Sequence, residues 1–243
     1  MLTARPFSSL ARVYDAIMED VDYDGWAGFV LDTVRAEGWR GRRVLDLGCG
    51  TGNSTFPFFM RGYEVTGLDA SAEMLAVAQD KLPPVPFVQG DFTTFALDTR
   101  FDLVVSIFDS LNNLLTLEAL LITARRAHEH LTPGGYLMFD VNTTAGLREL
   151  WQGDRAEGWV GEIYYLWRHS FDEASGLAKV EAYCRSPEGE FTEVHLERPY
   201  DPPELRTLLA EAGFEGVRIL SYPGGEEADE EAERVWVVGR KQG

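Results

Sequence analysis

The stretch Arg43-Val44-Leu45-Asp46-Leu47-Gly48-Cys49-Gly50-Thr51-Gly52 decides the fold of this chain. Its first half is rich in strand-forming apolar residues, and its second half has glycine at every second position. Glycine allows a backbone to adopt positive φ and to approach a ligand closely. The pattern predicts a buried strand that runs through a glycine loop into a helix. Asp46 would then lie at the carboxyl end of the strand, where open α/β sheets bind their ligands.

Strand and helix patterns alternate after this turn, which indicates a doubly wound, mostly parallel α/β sheet. Two further strands near the end of the chain bring the predicted sheet to seven strands. The predicted strands are 44–47, 63–68, 85–89, 101–106, 136–141, 214–220 and 234–239, and the main helices are 53–61, 71–81, 117–130 and 202–213.

Two segments do not follow this alternation. Residues 1–40 form a helical preface, and residues 158–200 contain three extended runs separated by polar turns. The three runs predict an antiparallel meander of three strands inserted into the α/β order. We therefore predict one domain over residues 1–243, in which residues 41–142 are the ligand-binding half and residues 201–243 supply the final helix and strands.

Composition excludes several classes of protein. The 243 residues include 40 acidic and 22 basic side chains, and a net charge of −18 disfavours binding to nucleic acid. No apolar run approaches the roughly 18 residues of a membrane helix, and the N-terminus does not resemble a signal peptide, so we expect a cytoplasmic protein. The histidines lack companions at metal-ligand spacing, and we predict no metal site.

Three carboxylates end the first three predicted strands, at Asp46, Asp69 and Asp91. The strands lie side by side in a doubly wound sheet, so the carboxylates would face one crevice. A ligand with an amine, a ribose and an adenine would meet them in that order. The glycine loop lacks the third glycine of the dinucleotide pattern, where Asn53 stands, and a phosphate-binding Gly-Lys-Ser/Thr triplet is missing. Taken alone, Asp69 and Asp91 are also compatible with helix caps or turns.

Four segments in register resemble class I S-adenosylmethionine-dependent methyltransferases. They are Asp46 to Gly52, Leu68-Asp69, Gln89 to Phe92 and Leu131 to Gly135. The preface and the inserted meander resemble a bacterial subgroup of small methyltransferases, and sugar-amine N-methyltransferases are similar in carrying extra strands there. The resemblance implies a Rossmann-like methyltransferase fold, S-adenosylmethionine as cofactor, and in-line methyl transfer to a nitrogen or oxygen of a small molecule.

The resemblance also implies which residues hold the cofactor. Asp46 and Gly48 would hold its methionine end, Asp69 its ribose hydroxyls and Asp91 its adenine amino group. The complete cofactor set implied in this way is Tyr14, Asp46, Gly48, Cys49, Gly50, Asp69, Ala70, Met74, Gly90, Asp91, Phe92, Ser106 and Phe108.

Three residues are candidates for catalysis. A general base is needed only if the nucleophile arrives protonated. Asp109 is the first candidate because it follows the fourth predicted strand, and His195 in the meander is the second. Tyr14 would reach the cofactor from the preface. Asp109 is equally compatible with a helix cap, and Tyr14 with a core position.

Two other functions remain open at this point. The first is methylation of RNA or protein, against which stand the net charge and the lack of an (Asp/Asn)-Pro-Pro-(Tyr/Phe) motif after the fourth strand. The second is a non-catalytic module that keeps the fold for binding. The sequence is compatible with a monomer or a homodimer, and it does not name the methyl acceptor.

Overall fold

The computed structural model describes residues 3–151, 153, 155–229 and 231–243. Met1 and Leu2 of the predicted preface lie outside the described residues. The strands are β1 (Thr3–Ala4), β2 (Arg43–Leu47), β3 (Glu64–Asp69), β4 (Phe87–Gln89), β5 (Phe101–Ser106), β6 (Leu131–Asn142), β7 (Arg155–Val160), β8 (Ile163–Asp172), β9 (Leu177–Ser186), β10 (Gly189–Glu197), β11 (Phe214–Leu220) and β12 (Arg234–Lys241).

The helices alternate with the strands of the main sheet. They are α1 (Tyr14–Ile17), α2 (Tyr23–Ala36), α3 (Thr55–Met60), α4 (Ala72–Lys81), α5 (Leu117–His130), α6 (Thr144–Trp151) and α7 (Pro202–Glu211), with two 3₁₀-helices at Leu10–Arg12 and Ser110–Asn113. None of the helices in the described ranges has the length and apolarity needed to cross a bilayer.

The main sheet has seven strands in the order β11-β12-β6-β5-β2-β3-β4. The five strands from β6 to β4 pair in parallel, while β12 pairs antiparallel with both β6 and β11. The predicted seven-stranded, mostly parallel sheet is confirmed. After β2 the chain adds β3 and β4 on one side of it and then β5 on the other side, so the strand order reverses between β2 and β5. Such a switch point opens a crevice at the carboxyl ends of the two strands.

Both faces of this sheet are covered. Along β2, Val44 packs on one face with Val30 and Val34 of α2. Leu45 and Leu47 pack on the other face, in the cluster that includes residues of α5 and α7. Neighbouring strand residues point to opposite faces, so a run of apolar residues with both faces buried is the expected pattern for a doubly wound strand.

The inserted sheet differs in strand number from the prediction. It has five strands in the order β1-β10-β9-β8-β7, of which β7 to β10 are antiparallel and β1 pairs in parallel with β10. The prediction of three strands was wrong because the first extended run contains a hairpin. Val160 pairs with Ile163 across a tight turn in which Gly161 adopts a φ of 58°. The antiparallel meander itself is confirmed.

The preface and α6 attach the inserted sheet to the main one. The predicted helix at 11–18 is a 3₁₀-helix followed by the single turn α1. Ahead of it, the backbone N–H groups of Phe7, Ser9 and Leu10 donate to the buried carboxylate of Glu193, over 2.8, 2.7 and 3.0 Å. Helix α6, which the sequence analysis missed, packs Leu147 against the inner face of β9. The inserted sheet is thereby held over the crevice.

Candidate active site

A cavity of about 320 Å³ lies between the crevice of the main sheet and the inner face of the inserted sheet. Gly48, Gly50 and Asp69 line one end of it, and Trp151 of α6 and Trp167 of β8 line the other. A neighbouring recess of about 440 Å³ shares part of the wall, including Phe7, Asp69 and His195. The glycine loop and the inserted meander therefore face a common space.

The glycine loop comes very close to the segment after β5. Gly48 adopts a φ of 75°, and its N–H donates to the Leu68 carbonyl over 2.7 Å. A Cβ atom at Gly48 would lie 2.7 Å from Cβ of Ser110, which is closer than carbon atoms can approach. Only glycine satisfies both the dihedral angle and the space at this position.

Asp69 fastens the glycine loop to the next βα turn. Its Oδ2 accepts from the Gly50 N–H over 2.9 Å, and its Oδ1 accepts from the Ser71 N–H over 2.8 Å. The cap of α4 is Ser71, whose hydroxyl accepts from the Met74 N–H. Burial raises the pKa of Asp69, while these backbone donors lower it. The carboxylate is thus a preformed, partly desolvated acceptor in the cavity wall.

Asp46 lies beneath the loop and not in the described cavity wall. It is fully buried, and its Oδ2 accepts from the hydroxyls of Ser54 and Thr55, each over 2.7 Å. Its Oδ1 has no hydrogen-bond partner among the described residues. Burial raises the pKa of Asp46 to about 6. A buried carboxylate oxygen without a partner fits a ligand that brings a cationic donor.

The other predicted cofactor residues divide into those in the described wall and those outside it. Cys49 and Ser106 are buried below the surface, and the Ser106 hydroxyl donates to the Leu47 carbonyl. Gly90 and Asp91 lie outside the wall of either recess. Asp91 is exposed, and its carboxylate accepts a hydrogen bond from the Thr93 N–H over 2.8 Å. The predicted cofactor residues that line the cavity of about 320 Å³ are Tyr14, Gly48, Gly50, Asp69, Ala70, Met74, Phe92 and Phe108. All of their cofactor roles stay predictions.

Tyr14 is half-buried and part of the cavity wall. Burial raises the pKa of its phenol well above the ordinary value, and the neighbouring Tyr23 adds to this shift. At neutral pH, Tyr14 is therefore an un-ionised phenol in the cavity wall.

Asp109, the first candidate base, lies at a strained turn after β5. Phe108 and Asp109 both adopt positive φ, at 66° and 48°, which is costly for residues other than glycine. Their N–H groups donate to the Oδ1 and Oδ2 atoms of the buried Asp140 over 2.7 and 3.1 Å. The buried carboxylate holds the turn in this conformation, and Asp109 is thereby presented to the cavity.

A single guanidinium lies among these carboxylates. Arg234 of β12 contacts Asp140 over 2.7 Å and Asp109 over 3.4 Å. Its guanidinium also packs 5.2 Å from the ring centroid of Trp26. Burial raises the pKa of Asp140 to about 6, although Arg234 lowers it. Arg234 therefore ties the segment after β5 to the antiparallel edge of the main sheet.

Glu197 of the inserted sheet adds a third carboxyl group to those of Asp109 and Asp140. It lines the cavity, and its Oε2 is buried without a hydrogen-bond partner among the described residues. Asn142, which donates to Asp109 over 2.7 Å, also bonds the Glu197 side chain. Burial first, and then Asp109, raise the pKa of Glu197 well above its ordinary value.

The sequence analysis did not find Asp140, Asn142, Glu197 or Arg234. One signal was present, because Asp140 and Asn142 interrupt an otherwise apolar strand at alternate positions. The buried side-chain amide of Asn112 donates to the backbone carbonyls of Asn142 and Arg198. The part of the chain that the structure describes contains no group of three or more His, Cys, Asp or Glu side chains suited to a metal ion.

His195, the second candidate base, lies on β10 where the two recesses meet. It is buried, its Nε2 lies 3.3 Å from Oε2 of Glu193, and its ring is 4.5 Å from that of Phe7. The same strand face carries Glu193, His195 and Glu197. His195 thus packs against the preface segment, while Glu197 is the residue of this strand that interacts with Asp109.

Comparison with known proteins identifies the family of this chain. Residues 44–135 match the family model described as a methyltransferase domain. A protein of Geobacillus sp. (strain WCH70) that carries a methyltransferase name without a stated acceptor is 32% identical over 250 residues, covering 97% of this chain and 99% of the relative.

Relatives with named acceptors are also similar over most of their length. The dTDP-3-amino-3,4,6-trideoxy-alpha-D-glucopyranose N,N-dimethyltransferase of Streptomyces venezuelae is 28% identical, with 88% of this chain and 94% of the relative covered. The solved structure of S-adenosylmethionine-bound CalS10, an amino pentose methyltransferase from Micromonospora echinaspora, matches with a TM-score of 0.74 at 25% identity. That match covers 99% of this chain and 100% of the other.

Proposed function

This chain belongs to the family of S-adenosylmethionine-dependent methyltransferases, and we propose that it methylates the nitrogen of a small-molecule amine. Its cofactor is S-adenosylmethionine, as expected from the glycine loop. When bound, this cofactor supplies a methyl group on a positively charged sulfur. The leaving group is already activated, so the protein acts by positioning the nucleophile and excluding water.

The cofactor end of the cavity fits such a ligand in three respects. Gly48 presents its backbone to the cavity without a side chain, and Asp69 presents a fixed carboxylate to the cavity. Asp46 holds a buried carboxylate oxygen without a partner. We infer that Asp69 binds the ribose hydroxyls and that Asp46 stabilises the positively charged amino group of the methionine end.

One observation carries the choice of a nitrogen acceptor. The carboxyl groups of Asp109, Asp140 and Glu197 share the guanidinium of Arg234, and Asp109 and Glu197 line the cavity. Such an excess of carboxyl groups attracts a cation and can take up a proton, and an amine arrives at neutral pH as a cation that must lose a proton before it attacks. An alcohol acceptor would bring no charge to compensate this group. The two relatives named for amino-sugar acceptors support the same choice.

The test is a methylation assay with S-adenosylmethionine carrying a deuterated methyl group. The panel contains amino sugars, with and without a nucleotide diphosphate, and for each one the matching sugar with a hydroxyl in place of the amine. We expect label in the amines and none in the hydroxyl partners, as read by mass spectrometry. An Asp69→Ala variant serves as the control for cofactor-dependent label.

Three results would contradict the proposal. Label confined to the hydroxyl partners would identify an O-methyltransferase. Label in tRNA or in added protein, with none in small molecules, would favour the macromolecular function. Binding of S-adenosylhomocysteine, without methyl transfer to any of the acceptors tested, would favour the non-catalytic alternative.

A further inference from the structure

We propose that Glu197, together with Asp109, binds the ammonium group of the acceptor, and that Glu197 takes its proton before methyl transfer. This assignment rests on the proposed N-methylation and adds a residue to it. In this reading Glu197 is the general base, and Asp109, the candidate preferred from the sequence, helps to bind the cation.

The first argument is the contrast between two carboxylates on one strand. Successive residues of β10 alternate between its faces, so Glu193 and Glu197 point toward the same side. Glu193 is fully buried and accepts three backbone N–H groups of the preface segment. Glu197 has an oxygen equally removed from solvent that accepts nothing from the described residues. A buried carboxylate oxygen without a donor is costly, and the cost is removed when a ligand supplies the donor.

The second argument is charge. Arg234 is the cation near Glu197, and it is engaged by Asp140 and Asp109. Among the described residues in the wall of the cavity that Glu197 lines there is no lysine or arginine. Arg234 is thus shared by three carboxyl groups, and a second positive charge for this group has to come from the ligand. The titratable groups around Glu197 or in the same wall are Asp69, Asp109, Asp140, Arg234, Tyr14, His169 and His195.

The remaining wall indicates what accompanies the ammonium group. Trp151, Trp167, Val180 and Ala182 line the part of the cavity under the inserted sheet. Aromatic and aliphatic surfaces of this kind bind an uncharged ring or chain. The acceptor class that fits is thus a primary or secondary amine attached to an uncharged body, with the nitrogen directed toward Glu197 and Asp109.

The chemical step balances without a further reactant. The ammonium group transfers one proton to the Glu197 carboxylate and becomes a neutral amine. The nitrogen lone pair then forms the new N–C bond as the C–S bond breaks, and the sulfur keeps that electron pair. The product leaves as a methylated ammonium ion with S-adenosylhomocysteine, and Glu197 returns its proton to solvent. The raised pKa of Glu197 brings its basicity closer to that of an amine, which favours the transfer.

The test compares Glu197→Gln with Glu190→Gln, an exposed glutamate on the other face of the same strand. With the amine identified in the panel, we expect kcat/KM of Glu197→Gln to fall at least a hundredfold. The affinity for S-adenosylhomocysteine should stay within twofold of wild type. Because the base works only when ionised, the rise of kcat/KM with pH that reports Glu197 should vanish in Glu197→Gln and persist in Glu190→Gln.

Glu197→Asp protects the test against misfolding, since it keeps a carboxyl group at the site. It should keep the rise with pH while kcat/KM falls, because the shorter side chain moves the base away from the nitrogen. A Glu197→Gln enzyme that methylates the amine within threefold of wild type, with an unchanged pH profile, would overturn the role of Glu197 and leave N-methylation standing. Label confined to hydroxyl partners would instead overturn the proposed function.

Discussion

The two ends of the cavity are built in different ways. The cofactor end consists of residues close in sequence, at 46–52 and 69–71, and its contacts are mostly backbone N–H groups and carbonyls around Asp69. The acceptor end draws Asp109, Asp140, Glu197 and Arg234 from segments after β5, in β6, in β10 and in β12. Its contacts are between charged side chains.

This difference has a chemical consequence. Backbone groups are present in every sequence that folds this way, so the cofactor end depends on few side chains, chiefly Asp69. The acceptor end depends on a balance between three carboxyl groups and one guanidinium, and a single substitution alters its charge. A family can therefore keep one cofactor and change its acceptor by substitutions at a few positions contributed by the antiparallel strands.

Replacement of the guanidinium should have the largest effect. We expect Arg234→Met to lower the free energy of unfolding by about 3–5 kcal/mol, because it leaves the buried Asp140 without its partner. The measurement is urea unfolding at pH 7.5. Arg206→Met, which breaks an exposed pair with Glu227, is the matched control and should cost about 1 kcal/mol or less.

The pH dependence separates this explanation from a simple loss of packing. Asp140 can take up a proton once Arg234 is gone, so the defect in Arg234→Met should shrink as the pH falls from 7.5 to 5. A defect that is equally large at both values would show that the packing of Arg234 on Trp26 dominates, and the acceptor end would then be less electrostatic than we argue.

Removal of the Asp69 carboxylate, which we propose to bind the ribose hydroxyls, should abolish most cofactor binding without a comparable loss of stability. Asp69→Ala removes a charged acceptor, and hydrogen bonds to charged groups are worth about 1.5–3 kcal/mol each. With two of them to the ribose, we expect S-adenosylhomocysteine to bind about a hundredfold more weakly or worse, as measured by calorimetry. Asp98→Ala, at an exposed position outside the described wall of both recesses, should bind like wild type.

The contrast between the two ends also explains what the sequence could reveal. The glycine spacing and Asp69 follow from local rules of the strand, loop and helix, so the cofactor end was predictable. Glu197 and Arg234 are one glutamate and one arginine among many, and their roles arise only when β10 and β12 are brought near Asp109. Gly161 was read as part of one strand because extended residues flank it on both sides, although it turns a hairpin.

Asp46 gives a pH-dependent test of the cofactor end. Its pKa rises from an ordinary 3.8 to about 6 through burial, so the folded state binds a proton that the unfolded state has released. The contribution of Asp46 to stability therefore falls as the pH rises between these two values. At 1.36 kcal/mol per pH unit, the unfolding free energy of Asp46→Asn relative to wild type should increase by about 2 kcal/mol from pH 4 to pH 8.

The cofactor should change this result if Asp46 stabilises its amino group. With saturating S-adenosylhomocysteine, a positive charge near Asp46 favours the carboxylate in the folded state, and the extra stability of Asp46→Asn at high pH should disappear. If the unfolding free energy of Asp46→Asn relative to wild type rises equally with and without ligand, Asp46 acts only through Ser54 and Thr55.

The smallest effect is expected at Asp91, where the resemblance to known methyltransferases and the structure point in different directions. The resemblance assigns Asp91 to the adenine amino group, yet the side chain is exposed and turned toward Thr93. To reach the adenine, the carboxylate has to leave its own turn, and the bond gained is offset by the bond lost. We therefore expect Asp91→Ala to weaken S-adenosylhomocysteine binding by about threefold to tenfold, which corresponds to roughly 0.6–1.4 kcal/mol.

Inosine-containing S-inosylhomocysteine, which has no amino group on its base, isolates this contact because Asp91→Ala should leave its affinity unchanged. A hundredfold loss for S-adenosylhomocysteine would place Asp91 with Asp69 as a fixed part of the cofactor end, and equal losses for both ligands would mean that Asp91 supports the turn and does not contact the base.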